Sequence, residues 1–155
     1  MEVNIYELTE QRGSVCNKLL RSLPEWFGIE EAIQNYVRDV ENMQTFVAEQ
    51  SSGIVGFISL NKHNKLTAEI HVMAVDKKFH RHGFGKRLVS AAENNLKNQS
   101  FKYLTVKTLS PSRPNKEYDL TRKFYEAIGF EPLEEFKTLW DKHNPCLLML
   151  KVLNN

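Results

Sequence analysis

The chain has 155 residues, 41% hydrophobic and 26% charged, with a formal net charge of +2. That is the size and balance of one ordinary soluble domain over residues 1–155, long enough to bury a core of its own. So small a charge gives no argument for nucleic acid, and no apolar run reaches the length that spans a membrane.

In chain order, Val3 to Leu8 alternates and predicts a first strand. Val15, Cys16, Leu19, Leu20 and Leu23 recur at helical spacing, and Pro24 stops that helix. Pro24-Glu25-Trp26-Phe27-Gly28 connects it to a second amphipathic helix marked by Ile29, Ala32, Ile33, Tyr36, Val37 and Val40. Thr45–Glu49, the turn Ser51-Ser52-Gly53 and Ile54–Leu60 predict a hairpin, with a polar tip at Asn61–Lys65. A β-branched and apolar strand ends at Met73-Ala74-Val75. A basic, glycine-bearing loop follows, and a helical pattern begins at Lys86 with Leu88, Val89, Ala92 and Leu96 as its buried stripe. Phe101–Leu109 predicts a strand and Ser110–Asn115 a loop. Leu120, Phe124, Ala127 and Ile128 define the apolar face of a fourth helix closed by Gly129. Phe130–Phe136 predicts a strand, Thr138–Pro145 a connecting loop and Cys146–Leu153 a last strand. The fold class is α+β: a mixed, mostly antiparallel twisted sheet of about seven strands with four helices.

The segment Ala68–Leu88, AEIHVMAVDKKFHRHGFGKRL, carries the chemistry. A strand, a glycine loop and a helix start aim main-chain N–H groups and the positive end of a helix dipole at one spot. Gly83 and Gly85 let a bulky anion approach the main chain, and Lys77, Lys78, Arg81, Lys86 and Arg87 add positive charge. This predicts a phosphate or pyrophosphate site. A mononucleotide P-loop needs Ser or Thr after Gly-Lys, where Arg87 stands, and a dinucleotide fingerprint needs a third glycine, where Leu88 stands.

His80-Arg81-His82-Gly83-Phe84-Gly85, preceded by Met73-Ala74-Val75-Asp76, resembles the acetyl-CoA-binding motif of the GCN5-related N-acetyltransferases (GNAT), written Gln/Arg-x-x-Gly-x-Gly/Ala. Phe124-Tyr125-Glu126-Ala127-Ile128-Gly129-Phe130 resembles that family's F-Y-E-x-x-G-F. His80 departs from the pattern by taking the Gln/Arg position. The resemblance spans essentially the whole chain. It implies acetyl-CoA held by Met73, Ala74, Val75, His80, Arg81, His82, Gly83, Phe84, Gly85, Lys86 and Tyr125. It also implies transfer of an acetyl group to an amine of a small molecule or peptide. The alternative is a non-catalytic acyl-CoA-binding sensor or interaction module on the same fold.

Transfer to an alkylamine requires that the amine lose a proton and the departing thiolate gain one. Glu69, His71, Met73 and Val75 share one parity along their strand, so regular alternation puts all of them on one side. A Glu69–His71 pair there would suit proton transfer, and the resemblance places Glu69 at the glutamate base of the family's histone-acetylating branch. The other reading pairs Glu69 across the sheet with a lysine or arginine. The resemblance places Tyr125 near the thioester sulfur as general acid; the structural reading is a packed ring with a satisfied hydroxyl.

Trp26 and Phe27 either pack on the core or, as the resemblance implies for the connection between the first two helices, wall the acceptor pocket; Trp140, in the polar loop, is a further candidate for that wall. No metal is expected: His80 and His82 have no third ligand at suggestive spacing among their arginine and lysine neighbours. Cys16 and Cys146 lie far apart with no CxxC spacing, and the first residues, MEVNIYELTEQRG, contain no apolar signal segment. The expected protein is cytoplasmic, monomeric or homodimeric, with a small-molecule or peptide amine as partner and neither nucleic acid nor membrane.

Overall fold

The computed structural model describes residues 2–154. Among them the strands are β1 (Asn4–Leu8), β2 (Gln44–Gln50), β3 (Gly53–Lys62), β4 (Thr67–Val75), β5 (Tyr103–Leu109), β6 (Glu131–Asp141) and β7 (Asn144–Val152). The helices are α1 (Arg12–Arg21), α2 (Glu30–Asp39), α3 (Phe84–Asn98) and α4 (Lys116–Ala127). The strands form one sheet in the order β1-β2-β3-β4-β5-β7-β6. Its pairings are antiparallel except β4–β5, where α3 supplies the crossover that parallel neighbours require. The expected α+β fold is present, and no helix among the described residues is long and apolar enough to cross a membrane.

Helices cover both faces. On one, Cys16, Leu19 and Leu20 of α1 and Ile33 of α2 bury Val47, Phe57, Val72 and Ala74 of the sheet. On the other, Leu88, Val89, Ala92 and Leu96 of α3 and Tyr125 of α4 bury Ile58, Leu60, Ile70, Leu104 and Val106. Each fully buried aliphatic or aromatic side chain contributes about 1.5–3 kcal/mol. Both clusters therefore hold β4 firmly, and β4 is the strand on which the site depends.

Three expectations need correction. The segment Thr138–Pro145 is a hairpin rather than a loop, because β6 runs to Asp141 and β7 begins at Asn144. As an edge strand β6 buries neither face, so its sequence lacks the alternation that reveals a half-buried strand. On α4 the buried residues are Arg122 and Tyr125, while Leu120 is 46% exposed. Arg122 can be buried because its guanidinium donates to the Leu109 carbonyl and to Asp119. Finally, α3 begins at Phe84 rather than Lys86, with Gly83 in the left-handed conformation, φ 81°, as its N-cap.

Candidate active site

A bulge in β4 organises the site. Ser59 pairs with Val72 and Leu60 with Ile70, so His71 is an extra residue with no partner on β3. The shared parity of Glu69, His71, Met73 and Val75 is thereby broken. Glu69 and His71 lie toward α2, whereas Met73 and Val75 turn to the α3 side. A bulge also bends its strand, and the bend coincides with a fork: β4 and β5 pair only from Thr67–Tyr103 to Ile70–Val106. Beyond that point β4 stays with β3 and β5 stays with β7. The main-chain edge of the Met73–Val75 segment therefore faces a cleft instead of a neighbouring strand, which is unusual for backbone polar groups in a sheet.

The loop from β4 to α3 closes the open end of this fork. Asp76 accepts from the Lys78 amide at 3.0 Å and caps a 3₁₀ turn at Lys77–Phe79. Phe79 stacks on buried Phe84 with ring centroids 5.8 Å apart, which anchors the loop on α3. Arg81 takes the left-handed conformation at φ 65°, two residues before Gly83 does the same. Such strain in a non-glycine residue marks functional loops. Among the described residues no carbonyl or side-chain oxygen accepts from the amides of Arg81, His82 or Gly83. The first-turn amides Phe84, Gly85 and Lys86 are free as at any helix start. The result is an anion-binding nest at the positive end of α3. Lys77 is paired with Glu25 at 2.8 Å, while Lys78, Arg81, Lys86 and Arg87 have no ion-pair partner among the described residues.

His80, the departure from the family pattern, has a defined task. Its Nε2–H donates to the Val75 carbonyl at 2.6 Å, tying the loop back to the end of β4. Gly85 has its own reason to lack a side chain: a Cβ there would lie 3.2 Å from Cζ of Phe124 and 3.8 Å from the Met73 methyl. The start of α3, Met73 of β4 and Phe124 of α4 therefore meet at one point in the cleft wall.

Tyr125 is buried between Phe124 and Phe130, with ring centroids 5.3 and 5.4 Å away. Its hydroxyl has no hydrogen-bond partner among the described protein groups, yet it is not among the sealed, unpaired polar atoms. Burial pushes its pKa up, and the phenols of Tyr118 and Tyr36 add to the effect. The group is therefore a neutral proton donor at physiological pH.

Glu69 is 6% exposed and ion-paired, the second of the two readings its sequence allows. Lys107 Nζ lies 2.9 and 3.1 Å from its two oxygens, and His63 Nε2–H donates to Oε1 at 2.6 Å. The expected Glu69–His71 pair does not form; His71 Nε2–H donates instead to Asp39 of α2 at 3.0 Å. Neither His63 nor Lys107 nor Asp39 carries a local sequence signal, because each meets its partner only through the sheet or across it.

Trp26 and Phe27 pack against the α1–α2 core, the first of the two readings their sequence allows, and Trp26 also reaches across to α4. Trp26 Nε1–H donates to Thr121 Oγ1 at 3.1 Å, its carbonyl accepts from Tyr118 Oη at 2.7 Å, and its ring meets His80 edge-on at 5.6 Å. Phe27 contacts Tyr36, whose ring in turn meets His71 at 5.4 Å. Burial pushes the Tyr118 hydroxyl up to about 12. Trp140 is not joined to this group. It lies 44% exposed on β6, where the register shift between Phe136 and Asp141 arches the strand away from β7. Burial raises the Cys16 thiol to about 12 and the Cys146 thiol to about 11, so neither is poised as a nucleophile. Two surface clefts of about 620 and 680 Å³, beside Leu66 and Phe101 and beside Arg113 and Lys142, share no residue with the fork.

Comparison with known proteins agrees with this geometry. The acetyltransferase (GNAT) domain family matches residues 41–132, which contain β4, the nest and α4. A GNAT family acetyltransferase from Elizabethkingia anophelis, solved with acetyl-CoA bound, superposes with a TM-score of 0.75 at 20% identity, covering 97% of this chain and 98% of the other. An aminoglycoside 6'-N-acetyltransferase complexed with coenzyme A gives 0.78 at 19% identity, covering 98% of each chain. The ribosomal-protein-S18-alanine N-acetyltransferase of Escherichia coli gives 0.79 at 13% identity, covering 99% and 96%. No curated protein matches the sequence. The chain belongs to the GNAT family of acetyl-CoA-dependent N-acetyltransferases.

Proposed function

We propose that the fork between β4 and β5 is the site where this N-acetyltransferase modifies a primary amine of a small molecule or peptide. The observation that carries this reading is the pairing of two features. Strands that should be neighbours part beyond Ile70 and Val106, and a nest of unpartnered amides stands at the open end. The residues present fit acetyl-CoA: the nest and its free cations suit a pyrophosphate, and the main-chain edge at Met73–Val75, left without a β5 partner, suits an amide-bearing arm. Acetyl-CoA supplies the acetyl group as a thioester, activated toward an amine.

The amides of Arg81 to Lys86 bind the phosphates, with His80 holding the loop closed and Gly85 keeping the wall open. Tyr125 aims its hydroxyl into the cleft and protonates the departing sulfur. Trp26 and Phe27, strapped across to α4, exclude water and bound the acceptor's approach from the α1–α2 side. Glu69 and Lys107 fix the floor where the strands part. Among the proteins of like fold, one acts on aminoglycosides and another on a protein's alanine, so both acceptor classes suit this scaffold. Two buried free thiols accord with a reducing, cytoplasmic setting.

The test is calorimetric titration with acetyl-CoA followed by thiol release with two amines, an aminoglycoside and a peptide beginning with alanine. Saturable acetyl-CoA binding and turnover with either amine is expected. Failure to bind acetyl-CoA would refute the reading.

A further inference from the structure

Two groups at the fork could take a proton from the acceptor amine, and their surroundings separate them. The side chain of Glu69 is 8% exposed, and both carboxylate oxygens are occupied by Lys107 and His63. The Lys107 ammonium also repels a protonated amine approaching that carboxylate. His71 is placed differently. Being the bulged residue, it sits where β4 leaves β5, with its side chain 21% exposed. Nε2–H is fixed by Asp39, and Nδ1 has no partner among the described residues.

Asp39 supports this assignment. It ends α2, where a carboxylate opposes the helix dipole, and its only side-chain hydrogen bond among the described residues is to His71. A residue placed against local preference, with its single polar contact on an imidazole in the cleft, indicates function. Tyr36 of the same helix packs its ring against His71, centroids 5.4 Å apart.

Resting on the acetyl-transfer reading above, we propose that His71, oriented by Asp39, is the base that takes the amine's proton at Nδ1. In this scheme Glu69, Lys107 and His63 form a clasp that holds the closed end of the fork. One proton passes from the ammonium form of the acceptor to Nδ1 and on to solvent, with Asp39 stabilising the imidazolium. The amine nitrogen bonds to the acetyl carbon as the carbon–sulfur bond breaks, and the Tyr125 hydroxyl protonates the sulfur. The second proton, shed by the new amide nitrogen, restores Tyr125. The sum is one amide, one thiol and one released proton. The titratable groups in contact with His71 are Asp39 and Tyr36 on α2; Cys16 on α1, Glu69 on β4 and Cys146 on β7 interact with one or both of these, and Lys107 on β5 with Glu69 and Cys146.

The test follows thiol release against pH, using acetyl-CoA with the aminoglycoside or the alanine peptide. His71→Gln should lower kcat by about 10²- to 10³-fold and abolish the acidic limb, with acetyl-CoA affinity within a few-fold of the parent. Asp39→Asn should lower kcat with acetyl-CoA affinity kept, and Glu69→Gln should keep the acidic limb. A His71→Gln enzyme with its acidic limb intact, or a Glu69→Gln enzyme without one, overturns the assignment. A second measurement needs neither turnover nor a His71 variant. Nitrogen-15 NMR of the histidines should show neutral His71 protonated at Nε2, with Asp39→Asn shifting its tautomer population toward Nδ1–H. An unchanged tautomer population in Asp39→Asn overturns the proposal even if neither amine is acetylated, and that lack of turnover would itself count against the acetyl-transfer reading.

Discussion

Tyr125→Phe isolates a single atom. The ring packs edge-on against Phe124 and Phe130, and phenylalanine keeps both contacts. The hydroxyl has no protein partner among the described residues. Because the hydroxyl is not sealed from solvent, removing it should leave stability within about 1 kcal/mol of the parent's, or roughly 2–4 °C in Tm for a chain of this size. Catalysis should fall, because general acids contribute about 10²- to 10⁴-fold. A thiolate is a fair leaving group, so kcat should fall toward the lower end of that range. Burial raises the Tyr125 pKa, so this group adds no basic limb below about pH 10. The assay is steady-state thiol release under conditions where chemistry limits the rate, beside calorimetric acetyl-CoA affinity and a melting curve. Parental kcat in Tyr125→Phe would remove the residue from the mechanism, and a large drop in Tm would make its hydroxyl structural.

Four further outcomes follow. Gly83→Ala places a side chain in open space but at φ 81°, so it should cost about 1–2 kcal/mol in urea unfolding with little change in acetyl-CoA affinity. Gly85→Val should instead push Phe124 and weaken acetyl-CoA at least tenfold, and unchanged affinity in the folded variant would contradict the described cleft wall. Trp26→Ala loses the Thr121 bond and the His80 contact, so acceptor KM should rise more than acetyl-CoA Kd. Normal kinetics with a stability loss of about 3–5 kcal/mol would make Trp26 a core residue only. Alkaline stability has a definite sign. Tyr118, pushed up to about 12 chiefly by burial, stays neutral in the folded state after the unfolded chain begins to ionise. Stability should be intact below about pH 10 and be lost as pH climbs toward 12, with Tyr118→Phe losing less.

What was legible in the sequence was local. The β-branched run of β4, the glycines of the loop and the F-Y-E segment of α4 lie within short windows, and their order specified the fold and the place of the glycine-bearing loop at the start of α3. What was not legible depended on separation in sequence. Lys107 reaches Glu69 from a parallel strand joined through α3, and Asp39 reaches His71 from a helix on the opposite side of two intervening strands. His63 lies near Glu69 in sequence, but its contact depends on how the β3–β4 connection folds back. The face of α4 was misread because a buried, fully bonded arginine looks in sequence like a solvent-facing one.

The bulge was hidden for a different reason, and it explains most of the site. A strand buried on both faces shows no alternation, so Ile70-His71-Val72-Met73-Ala74-Val75 carries no mark of where the register slips. Counted without a bulge, Val72 and Ala74 would join Ala68 and Ile70 on the α3 face, and Met73 and Val75 would face α2. With His71 inserted, the sheet reverses those assignments: Val72 and Ala74 complete the α1–α2 core, while Met73 and Val75 turn toward α3. The same residue bends β4 where β5 leaves it, which opens the fork, and it projects its own imidazole toward α2 at the mouth of that fork. One unpaired residue thus sets the fork, the side chains that face α3 beside it and the position of the proposed base, so these three features stand or fall together.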